Sequence, residues 1–397
     1  MYTTRPLSLY KKSPEAISIP PEGPNSGYLV IQDEESTPTS CFGLCKDPSI
    51  NDLPFPQNKR LSIEFEVPMQ DQAASYHSYD EVYLIPIINQ PLSSHRYYAI
   101  KANGKRKGEA YASSKEEDKG TCCFCFPWIR DLKPRPFDPE DIYQQFEFSV
   151  TKTFLSGNML LAKSVASDGH PPQFMRRKGW QMNTKSLKNS TLQEARGLDS
   201  SLRAHLPDFN FPLSQECSKS VVVGKWCCPF MFIKEGREKD QIKKSVFYEM
   251  TLEQRWERIF AADRRTYGQK KLVTVDVVVP TEMVRIAGQE AKKEKRNDDK
   301  GVVWFNGSGT KEHVGLSSLI IQRMMYEEER SGWVKAKEKQ VRVIKDEKYA
   351  GRGEWRNFGC YLLVETFVLK RNDGSIVLTY DFRHTHQIRN KWESGYQ

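Results

Sequence analysis

The fold is decided by residues 359–392, which read GCYLLVETFVLKRNDGSIVLTYDFRHTHQIRNKW. The apolar run Tyr361–Leu369 leads into residues 371–374, where Asn, Asp and Gly tolerate the positive φ values of a tight turn. The return run Ile376–Ile388 alternates apolar and polar residues, as a strand buried on one face does. We therefore predict a terminal β-hairpin whose apolar first strand is central in a larger sheet.

The rest of the chain predicts many strands and few helices. The clearest strand is Leu61–Val67, where apolar and polar residues alternate without a break. Strands and helices do not alternate along the chain, which argues against a doubly wound parallel sheet. We predict an α+β fold, predominantly antiparallel β-sheet in a sandwich-like or open-barrel arrangement, with a few peripheral helices.

Two helices stand out in this pattern. Thr251 and Gln254 have the spacing of a capping box, and Trp256 lies on the apolar stripe of the helix they would open. Val314–Arg330 shows helical periodicity and is followed by a glycine suited to end it. Residues 282–291 fit a strand and a helix about equally well.

Composition shifts along the chain suggest four regions. Residues 1–26 are rich in proline and are expected to form an extended N-terminal segment. Residues 27–185 form an N-terminal β-rich half, and residues 186–218, which have little regular pattern, form a connector. Residues 219–393 form a C-terminal α+β half that ends in the hairpin.

Charge and targeting signals narrow the function classes. The chain has 397 residues and a formal charge of +9, but the basic patches are dispersed and mixed with glutamates, which does not favour nucleic-acid binding. The first thirty residues lack the apolar segment of a signal peptide, and no apolar run has the length of a transmembrane span. Nine cysteines, several of them vicinal, suit a reducing compartment. We expect a cytoplasmic or nuclear protein.

The cysteine clusters are the first candidate site. Cys122 and Cys125 have the spacing of a zinc knuckle, and Cys41 and Cys45 could supply the second pair of ligands. Free cysteines that pack as small apolar groups explain the same residues and are the favoured interpretation. S-acylation is a third interpretation and would need a second membrane signal for stable anchoring.

His384 and His386 are the second candidate site, because alternate residues of a strand share one face. Two imidazoles in this arrangement could bind a metal ion, although Asp381 points to the opposite face and no third ligand is visible. Hydrogen-bonded, partly buried histidines are the favoured explanation. The sequence contains no linear catalytic motif, so it predicts no catalytic and no cofactor-binding residue.

Six sequence blocks carry a family resemblance. They are residues 20–35 (PPEGPNSGYLVIQDEE), 133–136 (KPRP), 197–207 (GLDSSLRAHLP), 221–226 (VVVGKW), 248–257 (YEMTLEQRWE) and 380–386 (YDFRHTH). The chain resembles the plant domain-of-unknown-function family 1262, also labelled an insecticidal crystal toxin domain. The resemblance implies a plant protein with one shared fold, and it brings no reaction, cofactor or catalytic residue. The toxin label implies membrane activity, but Tyr361–Leu369 lacks the alternation of a lipid-facing strand.

These observations lead to one main functional expectation and two alternatives. We expect a soluble, intracellular, non-enzymatic interaction module with a protein partner, and the family context adds a role in stress or defence. One alternative is a metal-dependent (zinc) module or an enzyme that uses the cysteine cluster or His384 and His386. The other is a membrane-associated or lipid-anchored protein. The sequence predicts no ligand identity and no oligomeric state.

Overall fold

The structure is a computed structural model that describes residues 1–40, 45–68, 75–122, 126–153, 157–176, 180–186, 192–268, 270–294, 301–309, 312–337 and 339–395. The chain divides into two compact units. Unit 1 contains Met1–Ala195 and Cys227–Tyr248, and unit 2 contains Arg196–Trp226 and Glu249–Gln397.

Strands dominate both units. They are β1 (Tyr2–Pro6), β2 (Gly27–Ile31), β3 (Thr39–Ser40), β4 (Cys45–Lys46), β5 (Lys59–Pro68), β6 (Ser75–Pro86), β7 (Arg96–Lys101), β8 (Lys119–Cys122), β9 (Phe126–Ile129), β10 (Gln145–Thr153), β11 (Gly157–Ser164), β12 (Gln181–Ser186), β13 (Gly197–Leu198), β14 (Val221–Pro229), β15 (Ile233–Lys234), β16 (Phe247–Asp263), β17 (Leu272–Pro280), β18 (Glu282–Ile286), β19 (Gln289–Glu294), β20 (Val302–Gly307), β21 (His313–Ser317), β22 (Gln340–Lys348), β23 (Trp355–Lys370) and β24 (Ile376–Ser394).

The helices are short, apart from the last. They are α1 (Leu7–Lys12), α2 (Gln173–Arg176), α3 (Ser200–His205), α4 (Glu238–Lys244), α5 (Arg264–Tyr267) and α6 (Ser318–Arg330), with 3₁₀ turns at Pro14–Ser18, Leu92–Ser94, Glu116–Asp118, Ile142–Gln144 and Phe230–Phe232. Strand residues, at 48%, far outnumber helical residues, at 17%, and the sheets are mostly antiparallel. The predicted α+β class with a few helices is therefore confirmed.

Unit 1 is built on a six-stranded antiparallel sheet in the order β11-β10-β7-β6-β5-β12. Its core is aromatic: the ring centroids of Phe55 and Tyr97 lie 5.1 Å apart, and those of Phe55 and Phe148 lie 5.0 Å apart. Such edge-to-face and tilted contacts between large rings add to the free energy gained from burying their surface. The short strands β1 and β2 pair in parallel in the same unit.

Unit 2 is organised around the predicted terminal hairpin. β23 lies between β16 and β24 and pairs antiparallel with both, within the strand order β21-β20-β19-β18-β24-β23-β16-β14. Nearly every residue of β23 is buried, as expected for a central strand covered on both faces. The hydrogen bond from the Gly374 amide to the Arg371 carbonyl closes the turn. The hairpin and its central first strand are confirmed.

A separate ribbon, β17 paired with β22, covers part of this hairpin. Val279 and Val343 of the ribbon form a buried cluster with Leu362 of β23, which is completely inaccessible to solvent. Valine side chains on alternate positions give the ribbon one apolar face. This face is what joins the ribbon to the hairpin.

β24 contains a wide bulge where it passes the middle of β23. Leu362 pairs with Ile388, but the next residue, Leu363, pairs with His384, so residues 385–387 have no partner on β23. Bulges of this kind redirect side chains and occur often beside functional sites. The bulge therefore lies where a functional site is expected in this sheet.

The helix predicted at Thr251 is wrong, because residues 247–263 form β16. Leu252, Gln254 and Trp256 are all buried on the same face with a period of two. Because the polar Gln254 interrupts the apolar residues of this face, the sequence spacing of Leu252 and Trp256 matched that of a helix. Pairing along the whole length of β23 outweighs the local helical preference.

Other expectations were met in part. Residues 313–317 form β21, so the predicted helix over residues 314–330 begins later, at Ser318, after the Ser317 side chain caps it. The ambiguous residues 282–291 lie in the hairpin formed by β18 and β19. Residues 7–12 form α1, so the extended conformation expected for residues 1–26 is wrong there.

We predict that Leu362→Ala lowers the free energy of unfolding by about 2–5 kcal/mol, since it leaves a cavity where the ribbon meets β23. Denaturant titration followed by far-UV circular dichroism measures the change. Val334→Ala is the control: Val334 is 77% exposed, and its loss should change stability by less than about 0.5 kcal/mol. Equal effects of the two substitutions would contradict a central, covered β23.

Candidate functional site

The candidate site lies in unit 2, where polar side chains enter an apolar face of the sheet. Glu365 of β23 pairs directly with Gln254 of β16, and His384 of β24 pairs with the neighbouring Leu363. All three polar side chains are about 99% buried. A buried carboxylate is costly unless charges and hydrogen bonds compensate it. The groups around Glu365 therefore determine whether its ionised form is stable in this position.

Arg203 supplies most of that compensation. Its Nε atom donates to Oε1 of Glu365 at 2.9 Å and its Nη2 atom donates to Oε2, which makes the pair bidentate. The same guanidinium donates to the Glu327 carbonyl and the Ser331 hydroxyl, each at 3.0 Å. Arg203 is positioned by α3, whose first turn is capped by the Asp199 carboxylate. The arginine thus joins α3, β23 and the end of α6.

The histidine joins the same cluster from β24. Its Nε2 atom lies 2.8 Å from Oε2 of Glu328 and 3.2 Å from Oε2 of Glu365. Glu328 is completely buried and lies in α6, beside an Arg323–Glu327 ion pair one turn apart. We call Arg203, Glu328, Glu365 and His384 the buried charge cluster.

The ionisable groups of the cluster shift one another's pKa values. Burial alone lowers the pKa of His384, but hydrogen bonds and the charges of Glu328 and Glu365 outweigh it and raise this pKa to about 9. Burial raises the pKa of Glu328 to about 8, against the opposing effect of His384. Burial also opposes ionisation of Glu365, yet the hydrogen bonds from Arg203 and His384 hold the pKa of Glu365 below its ordinary value. At neutral pH His384 therefore carries a proton on both ring nitrogens.

A cavity of about 380 Å³ opens beside the cluster. Gln254, His384 and Glu365 contribute to its wall together with the apolar side chains of Leu206 and Leu363. Gln254 Nε2 donates to Oε1 of Glu365 at 2.6 Å, which fixes the orientation of the amide. Gln254 Oε1 and His384 Nδ1 are both buried and lack a hydrogen-bond partner. Two residues that line the cavity thus each have one buried polar atom, an acceptor and an N–H donor, without a partner.

The opposite face of the same strands carries a second charged network. Asp381, which is 1% exposed, accepts hydrogen bonds from the Thr366 hydroxyl at 2.7 Å and the Arg285 guanidinium at 2.5 Å. Next to it, Glu257 accepts from Arg383 at 2.8 Å. These carboxylates are matched by arginines, and neither Asp381 nor Glu257 borders the cavity. We regard this network as structural.

The two histidines predicted from the sequence do not act as a pair. His384 is buried and binds two carboxylates, whereas His386 is exposed. Their ring centroids lie 5.5 Å apart. The bulge begins directly after His384, so the period of two that placed both rings on one face does not continue through it.

Sequence reasoning missed Arg203, Glu328 and Glu365. One signal for Glu365 was available, since it is the only acidic residue in the apolar run Tyr361–Leu369. A single charge in a strand buried on both faces requires a buried partner. No linear pattern connects it to Arg203 or Glu328, which are far away in sequence.

The structure describes little of the predicted cysteine site. Cys41 and Cys125 lie outside the described residues, and the side chains of Cys45 and Cys122 are not described either. Zinc binding by these four residues stays a prediction. Within the described residues, the group able to place three ligand atoms within 4.8 Å of one another is Glu328, Glu365 and His384.

Comparisons with known proteins agree with the predicted resemblance. Residues 22–124 match the model of a protein family of unknown function, DUF1262. The crystal structure of Cry35Ab1 is similar with a TM-score of 0.47 and 12% identity, covering 85% of this chain and 90% of that chain. No curated protein matches. Among the described helices, none has both the length and the apolar character needed to cross a membrane.

The cluster predicts a characteristic dependence of stability on pH. The pKa of His384 rises from 6.5 in the unfolded chain to about 9 in the folded one, so its contribution is complete below pH 6.5 and is lost as the pH rises through 9. Glu328, with its pKa raised from 4.5 to about 8, acts in the same direction. The free energy of unfolding should therefore fall by about 2–5 kcal/mol between pH 6.5 and 9.

Denaturant titrations across this pH range measure the effect. The double variant Glu328→Gln/His384→Gln should lose most of the slope, because neither side chain titrates. His386→Gln, which changes the exposed neighbour, should keep it. A wild-type stability that stays constant or rises over this range would contradict the raised pKa values of His384 and Glu328.

Proposed function

We propose that this chain, a relative of the DUF1262 family, is a non-enzymatic binding module whose cavity in unit 2 receives one small uncharged polar group. The observation that carries the proposal is a pair of buried unsatisfied atoms, Gln254 Oε1 and His384 Nδ1, on two residues that line the cavity. A buried polar atom without a partner costs about 1–3 kcal/mol. A ligand that pairs both atoms would recover that free energy.

The chemistry of the two atoms defines the ligand. Gln254 Oε1 needs a donor, and the protonated Nδ1 of His384 needs an acceptor. A carboxamide or a hydroxyl group offers both. The leucine side chains in the wall suit an apolar body attached to that group, and the volume is at the lower end of the range for small-ligand sites.

The contacts within the cluster favour binding over catalysis. Glu365 already accepts from Arg203, Gln254 and His384, and the Nε2 atom of His384 faces two carboxylates. A general base must keep a free lone pair within reach of the substrate. The groups with perturbed pKa values in this cluster already form hydrogen bonds and ion pairs with one another, so they are not available to a substrate.

The proposal includes a cytoplasmic or nuclear location. It is supported by Cys228, a buried cysteine that forms no disulfide. Burial raises the pKa of the Cys228 thiol to about 11, so this residue stays protonated and unreactive in a reducing compartment. A role in stress or defence rests on the family resemblance alone.

The carboxamide could come from a free small molecule or from a side chain of a protein partner, and two probes separate these sources. We would titrate the protein with nicotinamide and with N-acetyl-glutamine amide, and follow the His384 ring signals by NMR. Either probe should shift these signals in a saturable way. Tighter binding of the glutamine derivative would favour a protein partner.

A matched pair of variants locates the binding. Ala204 lies in the cavity wall, and Leu202 lies outside it on the same helix. Ala204→Phe should weaken binding of the probe at least about tenfold by narrowing the cavity, equivalent to about 1.4 kcal/mol. Leu202→Phe should leave binding unchanged. Absence of a saturable shift with both probes, or equal effects of the two variants, would refute the proposal.

A metal-dependent module is the second candidate, because Glu328, Glu365 and His384 could each supply one ligand atom. Carboxylate oxygens and an imidazole nitrogen are ordinary zinc ligands. However, Arg203 donates to both carboxylate oxygens of Glu365, either of which would have to bind the ion. With the pKa of Glu328 raised to about 8 and that of His384 to about 9, both groups are protonated at neutral pH, so a divalent cation would have to displace both protons.

Elemental analysis after purification tests this candidate. Stoichiometric zinc that is lost in Glu328→Gln/His384→Gln would establish a metal site in the cluster. Zinc that is lost only in Cys122→Ser/Cys125→Ser would support the cysteine site instead. Metal-free protein that also binds no added zinc in a calorimetric titration would exclude both sites.

A further inference from the structure

In the ribbon of β17 and β22, the outer edge of β17 is partly occupied, because the Tyr267 hydroxyl binds the backbone of Thr274, whereas the outer edge of β22 pairs with no strand among the described residues. Within the described residues the two strands pair only with each other, over nine residues each. Their inner face is buried through residues such as Val273, Val275 and Val343, while the outer face is open to solvent. An open strand edge is a template for pairing with another strand.

The outer face of β22 has a symmetric pattern. Its exposed residues include Arg342, Ile344 and Asp346, spaced two apart, and Ile344 is 64% exposed. An apolar residue therefore lies midway between a cation and an anion. When such a strand is rotated by 180° about the isoleucine, the arginine takes the place of the aspartate.

We propose that a second copy of this chain docks along β22 in an antiparallel, two-fold symmetric manner centred on Ile344. The two ribbons then form one sheet in the order β17-β22-β22-β17. Each Arg342 faces Asp346 of the second copy, and the two Ile344 side chains meet on the symmetry axis. This inference is independent of the cavity and its ligand.

Charge selects the register. Centring the pair on residue 342 or 346 would oppose two arginines or two aspartates, and centring it on residue 345 would oppose two lysines. Centring on Val343 leaves both charges opposite uncharged residues. Like charges directly opposite one another in a sheet are destabilising, and opposite charges stabilise. The Ile344 register is the one that pairs every arginine with an aspartate.

The existing contacts of Arg342 are compatible with this arrangement. Its Nε and Nη2 atoms bind Asp276 of β17 at 2.7 and 2.6 Å, which holds the side chain along the sheet. The remaining donors of the guanidinium stay available to a second carboxylate. Exposed ion pairs contribute little free energy, so the backbone hydrogen bonds and the burial of Ile344 supply most of the affinity. The contact is small, and a concentration-dependent dimer is expected.

Charge variants at the symmetry axis test the proposal. Sedimentation equilibrium should show that the wild-type chain dimerises with rising concentration. Ile344→Glu and Ile344→Lys should each be monomeric, because like charges meet on the axis. An equimolar mixture of the two variants should dimerise again, since glutamate then faces lysine. Restoration in the mixture requires that residue 344 faces itself.

Val278→Glu is the matched control, since Val278 lies on the outer face of β17 and is 60% exposed. It should dimerise like the wild-type chain, and thermal unfolding should confirm that all variants are folded. A wild-type chain that stays monomeric at high micromolar concentration would overturn the proposal. So would dimerisation that survives Ile344→Glu, a mixture that stays monomeric, or loss of the dimer in Val278→Glu, which would place the contact on β17.

Discussion

A single buried carboxylate, that of Glu365, constrains the arrangement of unit 2. It lies in the central strand of a sheet covered on both faces, where water cannot solvate it. An ion in such a place is tolerated only with a counter-ion and a full set of hydrogen bonds. Arg203, Gln254 and His384 provide these, and they come from α3, β16 and β24. The strands and helices that carry the compensating groups must therefore pack where they do.

This dependence explains the position of α6 as well. The helix brings Glu328 to the histidine, and its last turn presents the Glu327 carbonyl to Arg203. If α6 moved away, the imidazolium and the guanidinium would each lose an acceptor in a place that water does not reach. Removing one member of a buried charged group costs more than the group contributes as a whole. The buried charges therefore contribute more to selecting this one packing arrangement than to the stability of the fold.

The sequence was informative where local chemistry decides the structure. Tyr361–Leu369, the turn at residues 371–374 and Ile376–Ile388 contain all that is needed for a hairpin, since loop type and side-chain period are local properties. β16 was mistaken for a helix because the role of Gln254 depends on Glu365, which is more than a hundred residues away. Most of the site was missed for the same reason, although His384 was a candidate. Arg203 and Glu328 look like ordinary surface residues until the fold brings them to Glu365 and His384.

The two charged networks on opposite faces also fix the register of the sheet. Glu365 points to one face and Thr366 to the other, where Asp381 and the arginines lie. A slip of β23 by one residue would exchange the faces of all its side chains. Glu365 would then meet the face that carries Asp381, and Arg203 would lose its carboxylate. In an apolar strand such a slip costs only packing, but here it would leave several buried charges unpaired. The acidic residue that interrupts Tyr361–Leu369 is thus what makes this apolar strand specific for a single alignment.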